Sequence, residues 1–117
     1  MELKGLYTLE EHESGAEIQI KDPSTDKPTD FYILVQGVDS RAYRTALRAF
    51  HRSILENKEG GDIELLVAVT KGWRGLESDG KEVKHSDKTA KELYMNAPAV
   101  ASQVDQFVSN RKNFTKG

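Results

Sequence analysis

The chain predicts an α+β fold: an N-terminal antiparallel β-hairpin packed on a bundle of three to four α-helices. Two observations carry that reading. Between residues 16 and 38 the apolar residues alternate or run together around a stretch of turn formers, as strands do. From residue 41 onward they recur at helical spacing. Neither half can bury its apolar face alone, so each is expected to cover the other. At 117 residues the chain is one ordinary domain. The expected limits are 16–114, with a weakly ordered segment over 1–15 and a frayed tail over 115–117.

The elements follow in order. Glu10 to Gly15 reads as a solvated connector. Ala16 to Lys21 puts Ala16, Ile18 and Ile20 on one face and Glu17, Gln19 and Lys21 on the other, a half-buried strand. Asp22 to Asp30 holds Pro23, Pro28 and several turn formers, too many residues for a tight hairpin, and predicts a mobile loop. Phe31 to Val38 is a nearly continuous apolar run, which predicts a strand covered on both faces. Asp39 or Ser40 then caps a helix by accepting an N–H bond from its first turn. Tyr43, Ala46, Leu47, Phe50 and Ile54 mark one face of that helix, which runs from Arg41 to about Asn57. Gly60-Gly61 ends it and Asp62 caps the next. Ile63, Leu66, Val67, Thr70 and Trp73 share one helical face, although Leu65 to Val69 would also pass as a buried strand. Ser86 and Asp87 open a third helix, with the acid favoured by the helix dipole. Asn96-Ala97-Pro98 interrupts it, because Pro98 disfavours helix in the residue before it and is itself a good helix start. Val100, Val104, Phe107 and Val108 extend a last stripe to about Lys112, before a frayed Phe114–Gly117.

Composition narrows the function. A net charge of −2 gives no case for bulk nucleic-acid affinity. With no cysteine there is no disulfide, thiol chemistry or thiolate metal site. The N-terminus lacks the apolar stretch of a signal peptide, and no apolar run nears the roughly 20 residues that span a membrane. His12, His51 and His85 lie in three separate segments, without metal-ligand spacing. No serine sits in a nucleophile elbow. The expectation is a protein that is no enzyme, with no cofactor, no metal and no catalytic residue.

Gly75 to Lys81 has the spacing G-x-x-x-x-G-K of a phosphate-binding loop. However, Glu82 stands where the magnesium-binding Ser or Thr belongs, and Glu77, Asp79 and Glu82 would repel a polyphosphate. A calcium loop centred on Gly80 lacks its bidentate Glu. The segment instead predicts an Asp79-Gly80 turn between two helices, with Gly80 supplying left-handed backbone. Trp73, the only tryptophan, is flanked by Gly72 and Gly75 and is expected to be a buried core residue at a helix end. The alternative is an exposed aromatic anchor for a partner.

Arg41, Arg44, Arg48 and Arg52 cluster in one narrow sector of the first long helix, opposite its apolar stripe. A solvated face is the plain reading. Yet arginine forms weakly hydrated, bidentate contacts suited to interfaces, which points to an acidic protein partner. Nucleic acid fits less well, since no aromatic platform accompanies the stripe.

Several local patterns then line up in order: Ile20-Lys21-Asp22-Pro23, Gln36 to Tyr43, Ala68 to Leu76, Asp79-Gly80-Lys81 with Ser86, Asn96-Ala97-Pro98 and Phe114. Together they resemble the tail assembly chaperones of long-tailed bacteriophages, the siphoviruses, from about Ile18 to Phe114. The resemblance implies a non-enzymatic assembly factor in the host cell cytoplasm. Such proteins coat the tape measure protein, keep it soluble and help recruit tail tube protein, without staying in the virion. They self-associate into spirals or rings. Many occur in a short form and a longer frameshifted form, and this chain, ending at Lys116-Gly117, would correspond to the short one. No catalytic residue and no partner site carries over from the resemblance. The alternatives are a structural minor tail or tail-completion protein of the virion, or an unrelated regulatory binding domain.

Overall fold

The computed structural model describes residues 1–116. The fold is α+β, with the N-terminal hairpin packed on helices. A short helix α1 (Leu9–Ser14) precedes β1 (Ala16–Lys21) and β2 (Pro28–Val35). Then come α2 (Arg41–Leu55), α3 (Gly61–Val69) and β3 (Thr70–Arg74). A small hairpin of β4 (Glu77–Ser78) and β5 (Lys81–Glu82) leads to α4 (Asp87–Asn96), α5 (Pro98–Ser109) and a 3-10 turn at Arg111–Phe114.

The predicted hairpin is two-thirds of an antiparallel sheet of order β1-β2-β3. Ile18 pairs with Ile33, and Ile33 with Trp73. The inward face of the sheet (Ile18, Ile20, Phe31, Ile33 and Val35) meets Leu66 and Val69 of α3, Tyr94 of α4 and Val104 and Val108 of α5 in one core. The opposite face is wetter than the near-continuous apolar run of β2 predicts. Tyr32 and Leu34 are only half-buried there, and the Arg74 guanidinium lies 4.0 Å over the Tyr32 ring while binding Glu17. Loop 22–27 is short and knotted on Asp22 rather than a long mobile excursion. The Asp22 carboxylate accepts from the Ser24 backbone and hydroxyl at 2.8 and 2.7 Å, and its backbone N–H donates to the Lys27 carbonyl at 2.9 Å. Those bonds hold its carboxyl below the usual range, the Ser24 hydroxyl first.

Three expectations are corrected by the chain's tertiary pairing. The second long helix ends at Val69, and Thr70 to Trp73 continue as a strand. The central strand β2 exposes a second edge, and pairing residues 70–74 with it outweighs a helical periodicity that is faint in the apolar run Leu65–Val69. Asp79-Gly80 turns between two strands, not two helices: φ is 53° and 77° at those residues, as a two-residue hairpin turn requires. The N-terminal connector is helical, and His12 within it is fully buried.

The caps follow the sequence more closely. Ser40 caps α2 through the Tyr43 N–H. Ser86 caps α4 in a reciprocal box with Thr89, two orphan donors satisfied at once. The N-cap of α3 is Gly60 in left-handed backbone, with Asp62 inside the first turn instead. Pro98 starts α5 as expected. Phe114, expected to fray, is buried against His12 and Phe107. Of the tail expected to fray, Thr115 and Lys116 are exposed, and Gly117 lies outside the described residues.

Candidate protein-binding site

The N-terminus of α2 is held at a well-built corner. Gly37 accepts the His12 ring against its backbone, where a Cβ would overlap the imidazole. His12 Nδ1 accepts a bond from the Asp39 backbone N–H at 3.1 Å, so the ring proton resides on Nε2. That Nε2 lies 3.4 Å from an Asp39 carboxylate oxygen but lacks hydrogen-bond geometry to it, so the contact is electrostatic only. Arg111 binds the same carboxylate with two bonds of 2.9 Å. This bidentate pair, before any other cause, holds the Asp39 carboxyl below its ordinary range. Glu13 of α1 accepts the Arg41 backbone N–H at 2.5 Å, and the Gln36 side chain donates to the Glu13 carbonyl at 2.7 Å. Three distant segments thus fix where α2 begins.

Beyond that corner α2 stands proud of the domain. None of its 15 residues is buried. Tyr43, at its base, leans on the core, and burial raises its phenol pKa, with Asp105 adding to the effect. At the far end Ile54 and Leu55 are 55% and 85% exposed. Arg41, Arg44, Arg48 and Arg52 are all exposed on the solvent side, as the sequence places them. Arg44 Nε donates to the Ser40 carbonyl at 3.4 Å. Among the described residues none of the four meets a carboxylate in an ion pair, whereas Arg74 and Arg111 each do.

Between α2 and α3 lies an open trench of about 860 Å³. Its α2 wall carries Ala42, Ala46, Ala49 and Phe50, and its α3 wall carries Leu65 and Ala68. Arg41 lines one end with Glu13 and Lys71, and Lys58 and Glu59 line the other. Sequence reasoning missed the trench. It placed Ala46 and Phe50 on the apolar stripe of the helix, because periodicity shows that a face is apolar but not whether small side chains leave a groove along the neighbouring helix. The alanines at 42, 46 and 49 were the available signal.

Trp73 sits elsewhere, on β3. It is half-buried rather than deeply buried, and it belongs to a strand rather than a helix end. Its ring is edge-on to Phe31 and His85, with centroids 5.8 and 5.1 Å apart, and its Nε1–H donates to the Val83 carbonyl at 2.8 Å. It pins the β4–β5 segment to the sheet. Gly75 comes so close to Asp30 that a Cβ there would overlap that residue's carbonyl. Gly72 has open space beside it, and Gly80 serves the hairpin turn. The arginine stripe and the tryptophan-glycine motif are therefore separate features, one on the arm and one on the sheet.

Gly75–Lys81, with the phosphate-loop spacing, forms the β4–β5 hairpin and does not run into a helix. Among the described residues no group of three His, Asp or Glu converges as metal ligands would, and no helix is long and apolar enough to cross a membrane. Comparisons with family models, with curated proteins and with solved structures find no match for this chain.

Proposed function

We propose that this chain is a non-enzymatic phage tail assembly chaperone that binds the tape measure protein and helps recruit tail tube subunits in the host cytoplasm. The observation that carries the reading is α2. It holds four exposed guanidinium groups with no ion-pair partner among the described residues, beside an open apolar trench. Such a surface favours a protein chain with acidic and apolar residues over a small substrate. The resemblance motifs add support by their positions. Gln36 to Ser40 build the corner that orients α2, and Trp73 to Lys81 lock the strand that follows α3. Self-association belongs to the same proposal: Leu3, Leu6, Tyr7 and Leu9 near the N-terminus are 61, 59, 58 and 55% exposed.

The test is a pull-down of tape measure fragments with the wild-type chain and with Arg44→Glu/Arg48→Glu/Arg52→Glu. Capture should be lost while the circular dichroism spectrum is unchanged, because exposed substitutions away from packing shift stability little. Unchanged capture by the triple variant removes the arginine face from the mechanism. Mass spectrometry of purified virions addresses the competing class, since stoichiometric presence there identifies a structural tail protein.

A further inference from the structure

We infer that the α2–α3 trench is a receptor for one amphipathic helix, about three turns long, whose flank toward α2 is acidic. The inference rests on the binding role above and specifies the kind of segment bound. Length is the first argument. The α2 wall runs from Arg41 to Ser53, about 18 Å at 1.5 Å per residue, which matches about 12 helical residues.

Shape is the second. The walls are mostly small side chains, Ala42, Ala46 and Ala49 facing Ala68, so a third helix can approach at the 8–10 Å axis spacing typical of packed helices. Phe50 and Leu65 leave an apolar floor for leucine-sized knobs.

Charge decides the occupant. On α2 the trench side of the helix adjoins Arg41, Arg48 and Arg52, which fall within about 40° of one another at 100° per residue. None has a carboxylate partner among the described residues. Of the carboxylates lining the trench, Glu64 binds Lys91 at 2.9 Å and Glu13 accepts the Arg41 backbone N–H, which leaves Glu59 as the lining carboxylate without a partner among the described residues. Against Glu59 at the far end stand Arg41, Arg48 and Arg52 along α2 and Lys71 at the Arg41 end, so the uncompensated charge is net positive and concentrated toward α2. The complementary helix carries Glu or Asp at separations of 4 and 7 residues on one flank, matching the spacing of Arg41, Arg48 and Arg52. Leucines at helical spacing fill its trench face.

A labelled 14-residue peptide of that pattern, mixed with the full chain and followed by fluorescence anisotropy, tests the assignment. A peptide with Lys in place of Glu and a 14-nucleotide DNA strand serve as the other arms. The acidic peptide should bind saturably and more tightly than either. Ala49→Trp and Ala68→Lys block the trench from opposite walls at exposed positions, and each should weaken binding by about tenfold or more. Arg48→Glu/Arg52→Glu should weaken the acidic peptide and strengthen the Lys peptide. Absence of saturable binding, equal binding of the two peptides, preference for DNA, or indifference to both blocking variants overturns the inference. Tape measure capture that survives Ala49→Trp places that protein elsewhere and overturns the trench as its seat. Peptide binding without tape measure capture keeps the receptor and retires the assembly role.

Discussion

Thr70 and Tyr94 share a buried hydrogen bond whose two ends should fail very differently. The hydroxyl of Thr70 donates to the Leu66 carbonyl at 2.7 Å, which commits its one proton. Tyr94, 1% exposed, must therefore be the donor in the 2.7 Å bond between the two hydroxyls. Tyr94→Phe removes one donor and strands nothing, so it should cost about 1 kcal/mol. Thr70→Val leaves the phenol without its acceptor and deprives the Leu66 carbonyl of this bond, at about 1 kcal/mol or more each, so about 2–3 kcal/mol together. Adding Tyr94→Phe to Thr70→Val then removes the stranded phenol, and the double variant should sit near 1–1.5 kcal/mol, more stable than Thr70→Val alone. Urea melts of the four proteins measure this, provided the slope stays constant across them. Additive behaviour, with Tyr94→Phe costing about 1 kcal/mol in both backgrounds, would refute the donor assignment.

Other outcomes follow from the same geometry. Burial, first among its causes, raises the Tyr94 phenol above 10.0, so the unfolded chain ionises first. Its contribution is complete below about pH 10 and is lost as pH rises through the folded value, and Tyr94→Phe should flatten that alkaline limb of stability. Asp39 behaves oppositely: Arg111 depresses its carboxyl below 3.8, so its contribution is complete above that pH and fades as the solution is acidified. Asp39→Asn should shallow the acid limb of a melt series without abolishing it, since Asp22 and Glu17 are depressed too. Trp73→Ala should cost about 2–4 kcal/mol, toward the lower part of the range for core aromatics because the ring is half-buried. Trp73→Phe should lose about 1 kcal/mol with the Val83 bond, and hydrogen exchange should quicken in residues 77–82. Gly75→Ala meets the Asp30 carbonyl as well as a φ of 86° and should cost about 3 kcal/mol or more. Gly60→Ala has the same backbone sign but open space, and should cost about 1–2 kcal/mol, so equal losses at the two sites would undo the contact argument.

Elements with a strong local period or cap were legible from residues alone. Alternation in Ala16–Lys21, Ser40 as a cap, the apolar face of α2, the Ser86 start and the Pro98 restart all appear where they were expected. The turn from helix to strand at Val69–Thr70 was not, because Leu65 to Val69 is apolar on every side and carries no phase. What stops the helix is the edge of β2 and the residue after it, distant in sequence, through bonds such as Gln36 N–H to the Val69 carbonyl at 2.9 Å. His12 was equally hidden: it sits in a polar six-residue stretch whose one leucine, Leu9, remains 55% exposed. Its burial comes from Phe114 and Gly37, residues that no local pattern connects to it. The arginine face was readable, since it needs only the 100° step, while the trench beside it depends on which α3 residues, Leu65 and Ala68, come to face the alanines of α2.

The outlying position of α2 also sets how the molecule should fluctuate. A helix that buries none of its residues opens locally at less free energy than the strands and helices of the core, so its amides should exchange first among the long elements. A ligand lying between α2 and α3 adds contacts only to the closed form. Each tenfold excess over its dissociation constant deepens that closed state by about 1.4 kcal/mol. Slowed exchange confined to residues 41–55 would then be an internal gauge of occupancy, readable on the unlabelled chain in a crude mixture of partners.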